Sequence, residues 1–118
     1  MRIMKFGGTS VNDAQAISQV ASIVAGQLRI DSRVVVVTSA MRGVTDLLIN
    51  TANAAASGDR QAYRDARLTL IARHRDAAES LIDDLDDLAM IQAQTDERVR
   101  EFERLCMAVA ILGELTDR

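Results

Sequence analysis

Lys5-Phe6-Gly7-Gly8-Thr9-Ser10-Val11 is the stretch on which the fold is decided. Residues 1–6 mix polar and apolar side chains (Arg2, Ile3, Met4, Lys5, Phe6) as a short half-buried strand does. Two glycines then stop the strand, Thr9 and Ser10 follow, and a helical pattern opens within three residues. The order is strand, glycine turn, helix start. That arrangement suits an anion. Glycines leave room for a ligand to approach the backbone. The first N–H groups of a helix have no partner inside it and lie at the positive end of its dipole. Lys5 adds a mobile cation and Ser10 a hydroxyl donor, so the pattern is a phosphate cradle in outline. A Gly-Gly pair after a strand is more often a plain tight turn, and that alternative stays open on this stretch alone. Neither Gly-x-x-x-x-Gly-Lys-Ser/Thr nor Gly-x-Gly-x-x-Gly is present.

Working outward, Asn12 or Asp13 is placed to cap a helix whose apolar residues Ile17, Val20, Ala21, Val24 and Leu28 share one face. Asp31-Ser32 makes a turn. Arg33 leads into Val34-Val35-Val36-Val37, a β-branched run that is apolar on both faces and is expected to be a central strand buried under helices. Strand, helix, strand in this order is a βαβ unit with parallel strands near 1–6 and 33–38. The second strand ends at Thr38-Ser39-Ala40-Met41. Another helix starts near Val44, with Val44, Leu47, Leu48, Ala52 and Ala55 on its apolar face and Gly58 at its C-terminal cap. In an open α/β sheet ligands bind at the carboxyl ends of the strands. Both strand ends here carry hydroxyls and glycines, at Gly7 to Ser10 and at Thr38 to Thr45.

The second half is helical. Asp59 is expected to cap a long helix carrying Tyr63, Ala66, Leu70, Ile71, Ala77, Ala78, Leu81 and Ile82. The acidic run Asp83-Asp84-Leu85-Asp86-Asp87 reads as a solvated bend that supplies a cap, not as a metal site. Leu88 and Ile91 form a short turn. Thr95-Asp96-Glu97 opens a last helix with Val99, Phe102, Leu105, Cys106, Val109 and Leu112 inward. Residues 59–113 would then be a helical hairpin, beside a β-α-β-α part over 1–58. His74 has no second His or Cys to make it a ligand, and Cys106 sits among apolar neighbours as a small core residue. Ser39 has no base beside it, which argues against a nucleophile.

Composition narrows the function. Net charge is −3 and aromatics make up 3% of the chain, which argues against duplex binding and against stacking platforms for single strands. No nucleic-acid partner is expected. A single cysteine excludes an internal disulfide and fits a reducing cytoplasm. Arg2 and Lys5 are followed by glycines instead of an apolar run, so no signal peptide is expected, and no stretch reaches the length of a membrane span.

The heptapeptide from Lys5 to Val11 resembles the N-terminal signature of the aspartate kinases. Ser39-Ala40-Met41-Arg42-Gly43-Val44-Thr45-Asp46 is similar to their second motif, at the expected distance. The helical pair with His74 in its first member, and Gly113-Glu114-Leu115-Thr116-Asp117-Arg118 after its second, is similar too. The wider group is the amino acid kinases. The resemblance implies a three-layer α/β/α sandwich, of which this chain would be part. It implies transfer of the ATP γ-phosphoryl group, with Mg²⁺ carried on the nucleotide, to the side-chain carboxylate of L-aspartate, in lysine, threonine and methionine synthesis. It implies that Lys5 acts catalytically and binds phosphate, with Gly7, Gly8, Thr9 and Ser10 beside it. Ser39 and Ala40 would line the crevice, and Thr45 would hold aspartate. Glu114 is not assigned to substrate, because its context looks like the segment just ahead of the family's Gly-Glu. The later substrate arginine, catalytic aspartate and second lysine have no counterpart here, so the chain reads as an N-terminal piece, incompetent by itself and expected to form a homo-oligomer. Two alternatives stand beside this: a helical self-association module, and an amino acid kinase with another acceptor.

Overall fold

The computed structural model describes residues 1–116; Asp117 and Arg118, with which the resemblance ends, lie outside the described residues. The chain separates into two compact units, Met1–Thr45 and the residues from Asp46 onward.

The first unit is the βαβ element. Strand β1 (Arg2–Phe6) pairs in parallel with β2 (Val34–Thr38), in a register that runs from Arg2 opposite Val34 to Phe6 opposite Thr38. Arg2 N–H donates to the Arg33 carbonyl (2.8 Å) and Ser39 N–H to the Phe6 carbonyl (3.1 Å), which extends the ladder past both ends. Helix α1 (Ala14–Ile30) makes the crossover. Its cap is Asp13, whose carboxylate accepts from Ala16 N–H at 2.9 Å. At the far end of the sheet the Asp31 carboxylate accepts from Arg33 N–H and pairs with the N-terminal ammonium at 3.1 Å. These contacts, the backbone donor above all, hold its pKa below the usual carboxylate range.

Two expectations for this unit fail. Val35, Val36 and Val37 are 45%, 40% and 47% exposed, so β2 is not a buried central strand. The sheet has two strands, so each strand is an edge. The half-buried Met4 and Phe6 alternate with exposed Ile3 and Lys5, so one face of β1 is covered and the other stands open. On α1, Val20 is buried, but Ala21 and Leu28 of the expected inner face are exposed. The sequence pattern states which residues are apolar; the number of elements present decides which of them are covered.

Helix α2 (Val44–Ala56) begins in the first unit and continues into the second, where it is followed by α3 (Arg60–Leu81) and α4 (Leu85–Thr116). The α2–α3 corner is a Schellman turn. Gly58 N–H donates to the Ala55 carbonyl (2.9 Å) and Asp59 N–H to the Ala54 carbonyl (3.0 Å), with Gly58 at φ +88°. Asp59 then turns its carboxylate to Gln61 and Ala62 N–H, so one residue closes α2 and caps α3. The core here is Ala55, Tyr63, Cys106 and Ala110, with Phe102 packed against it. Tyr63, Ala66, Leu70 and Ala78 of α3 face inward as their spacing predicts.

The last helix differs from its expected form. It does not open at Thr95. It is one helix from Leu85, and Asp84 accepts from Asp87 N–H (2.9 Å) at its first turn, the capping role expected of the acidic bend. Leu105, Val109 and Leu112 point outward, at 66%, 39% and 60% exposure, while Cys106 and Ala110 point inward. Gly113 lies within this helix, not after it, and gives the reason. A Cβ on Gly113 would stand 2.6 Å from the Ala56 carbonyl oxygen. Backbones this close leave room only for small side chains between the helices.

Candidate functional site

Both loops expected to carry chemistry lie at the carboxyl edge of the two-stranded sheet. Pairing of Phe6 with Thr38 brings their first residues, Gly7 and Ser39, into step. The first loop leaves β1 with Gly7 extended at φ −144° and Gly8 left-handed at φ +56°. A 3-10 turn over Gly8–Val11 follows, closed by Ser10 N–H to the Gly7 carbonyl (3.1 Å). The second loop runs from Ser39 to Gly43. It ends in a tight turn in which Val44 N–H donates to the Met41 carbonyl (3.1 Å). Gly43, third in that turn, has φ +78°, as a type II turn requires. The loops are joined directly: Arg42 N–H donates to the Asn12 carbonyl at 3.2 Å. Each loop also ends on a buried valine, Val11 and Val44, both 4% exposed.

Lys5, Gly7, Gly8, Thr9, Ser10, Ser39, Ala40 and Thr45 are all exposed. Lys5 lies on the open face of β1, one residue before the edge and opposite Val37. The first loop offers space as well: a Cβ at Gly7 or Gly8 would meet nothing within 4 Å. The Ser39 hydroxyl donates to the Ala40 carbonyl at 3.2 Å.

At the start of α1 the Asp13 carboxylate, one of the two caps expected, accepts from Ala16 N–H. Asp46 lies in the first turn of α2, where an acidic side chain offsets the helix dipole.

The amino acid kinase family profile matches residues 1–115. The chain belongs to the amino acid kinase family. Among its relatives, the chain is 33% identical over 116 residues to the bifunctional aspartokinase/homoserine dehydrogenase 1, chloroplastic, of Arabidopsis thaliana. That match covers 98% of this chain and 12% of the relative. It is 35% identical over 116 residues to the corresponding bifunctional protein of Daucus carota, again 98% of this chain and 12% of the relative. It is 42% identical over 55 residues to an aspartokinase of Rickettsia felis, 47% of this chain and 14% of the relative. The chain thus spans 12% of the length of the curated relatives it matches end to end.

Residues outside the edge take structural roles. Glu114 accepts a bidentate pair from Arg60, with Nε to Oε1 at 3.1 Å and Nη2 to Oε2 at 3.0 Å. Its carboxylate is engaged within the chain. His74 is half-buried and donates through Nδ1 to the Leu70 carbonyl (2.7 Å). Cys106 is 3% exposed, and burial, with Glu103 nearby, pushes its thiol pKa up. No group of three His, Cys, Asp or Glu residues able to hold a metal occurs among the described residues. No described helix is long and apolar enough to cross a membrane.

Proposed function

We propose that this chain forms the phosphate- and acceptor-binding edge of an aspartate kinase, in which the two strands and α1 belong to a three-layer α/β/α sandwich. The reaction is transfer of the γ-phosphoryl group of ATP to the β-carboxylate of L-aspartate, in lysine, threonine and methionine synthesis in a reducing cytoplasm. One observation carries most weight: the glycine loop and the Ser39–Gly43 loop start side by side and are tied by Arg42 N–H to Asn12. The aspartokinase names of the relatives support the reading of aspartate as the acceptor.

Such a reaction asks the protein mainly for positioning and charge stabilisation. Lys5 offsets charge on the transferring group. Gly7 and Gly8 admit phosphate oxygens to the main chain where a Cβ would stand in the way. Ser39, Ala40 and Thr45 line the acceptor side. The open space at the two glycines fits a nucleotide tail. Mg²⁺ would arrive on the nucleotide, where it neutralises phosphate charge.

Replacing Lys5 by alanine is expected to weaken binding of an ATP analogue by about 10- to 100-fold, the worth of one charge-assisted contact. Titration calorimetry of both forms measures it, and equal affinities would remove Lys5 from the site. Hydroxylamine trapping of acyl phosphate with ATP and aspartate is expected to show no turnover by these 118 residues alone.

A second reading is self-association through α4, favoured by its exposed Leu105, Ile111 and Leu112. Sizing chromatography decides it: a concentration-independent dimer that binds no ATP analogue supports this over the kinase edge.

A further inference from the structure

We propose that the cavity around His74, between α3 and α4, is a binding site for a small uncharged molecule with an apolar body and one O–H or N–H donor. The cavity has a volume of about 660 Å³, within the usual range of ligand pockets. Its described lining residues all belong to α3 and α4, so it lies in the second unit and shares none of them with the phosphate edge. Ile91, Thr95 and Val99 line it at intervals of four, which stacks them on one face of α4. Val99 is buried and Ile91 half-buried, and together they give an apolar body a surface to rest on. Across from them on α3, His74 stands about three turns along from Tyr63, past the cluster that Ala55 of α2 joins.

The polar groups decide what the cavity accepts. A carbonyl oxygen only accepts, so the contact of His74 Nδ1 with the Leu70 carbonyl at 2.7 Å puts the ring proton on Nδ1. In the neutral imidazole Nε2 is then a bare acceptor, on the side of the ring turned away from its own helix. Among the described residues no donor reaches it. The charged side chains at the rim are compensated by one another. Arg98 pairs with Glu101 at 3.4 Å, and Glu97 with Arg100 at 3.4 Å and Arg104 at 3.9 Å. The rim therefore presents no surplus charge to attract an ion. An apolar body against Ile91 and Val99, with one donor to Nε2, uses what is left. A half-buried histidine bonded to its own helix is ordinarily structural; the cavity at its other nitrogen sets this one apart.

The test is titration of the 118-residue chain with phenol, with anisole, in which a methyl group replaces the O–H proton, and with benzoate. Long-range proton–nitrogen NMR of the imidazole follows each one, and the chain has 1 histidine, so the ring signals belong to His74. Phenol is expected to shift Nε2 in a saturable way. Anisole should bind about fivefold more weakly or worse, the worth of one hydrogen bond, and benzoate should bind more weakly than phenol. His74→Phe, with far-UV circular dichroism as the check on folding, is expected to bind phenol and anisole alike. Equal binding of anisole and phenol by wild type overturns the proposal, because the donor then counts for nothing. Tighter binding of benzoate overturns it in favour of an anion site, and no saturable shift at millimolar phenol overturns it outright. A folded His74→Phe chain that still prefers phenol removes His74 from the site. If that variant does not fold, the wild-type comparison of phenol with anisole decides alone.

Discussion

Tyr63→Ala is expected to destabilise the chain by about 3–5 kcal/mol, the cost of emptying a large aromatic site in a core. Tyr63 is 3% exposed, and the buried residues clustered with it, Ala55, Cys106 and Ala110, are all small. Among the described residues, Phe102 is the one other large side chain at this cluster, and it is only partly buried. Tyr63 therefore supplies most of the volume of that core. The walls around it cannot collapse easily, because the small residues are set by close helix backbones. A void left there keeps most of its size, which puts the cost toward the upper part of the range for large-to-small changes. Total stabilities of such domains run about 5–15 kcal/mol, so the loss is a large fraction of what is available. A melt followed by far-UV circular dichroism should show a midpoint lower by about 10 °C or more. Leu105→Ala is the control. Leu105 is 66% exposed, and its loss should cost less than about 0.5 kcal/mol. Equal effects of the two variants would mean that the core is elsewhere.

That contrast also shows where the sequence is legible. Period-3.6 apolar spacing identifies α3 and its inward Tyr63, Ala66 and Leu70 because α3 buries its large residues. The same rule is half right on α4: Val99, Phe102 and Cys106 turn inward as expected, but Leu105, Val109 and Leu112 do not, and Ala110 and Gly113 take the inward places instead. Gly113 meets the backbone of Ala56, and only small side chains fit such an approach. Hydrophobicity measures the preference to leave water; it carries no information on how close two backbones come. Thr95-Asp96-Glu97 has the composition of a helix start, yet α4 runs through it. Asp96 there turns to Arg75 of α3, with Nη2 to Oδ2 at 2.6 Å, a tertiary contact in place of a local cap. At the candidate site, glycines and hydroxyls at two strand ends were enough to place both loops on one edge, since parallel pairing leaves no other place for them. The tie between Arg42 and Asn12 depends on backbone geometry that residue identity does not encode, whereas the Asp13 cap of α1 was legible from its side chain.

Gly7 and Gly8 should respond differently to substitution, and the difference separates fold from function. Gly7 is extended at φ −144°, ψ −177°, a conformation open to any residue, and a Cβ there meets nothing within 4 Å. Gly7→Ala is therefore expected to leave the melting midpoint unchanged, or to raise it slightly by restricting the unfolded chain. Gly8 sits at φ +56°, where a side chain is strained whatever the space around it. Gly8→Val, β-branched in that region, should cost about 1–2 kcal/mol. If the glycines exist for the turn alone, only the Gly8 change matters, and only for stability. If they form a cradle, both variants place a Cβ where phosphate oxygens must approach the main chain. Both should then lose tripolyphosphate affinity by at least about tenfold, the loss of one charge-assisted hydrogen bond. Gly7→Ala is the decisive variant, since its expected stability change is nil and its expected binding change is large. A Gly7→Ala chain that melts with wild type and binds tripolyphosphate equally well would reduce the stretch to a plain turn. An unchanged melt with lost binding would mean that Gly7 is there because a ligand, and not the chain, needs the space.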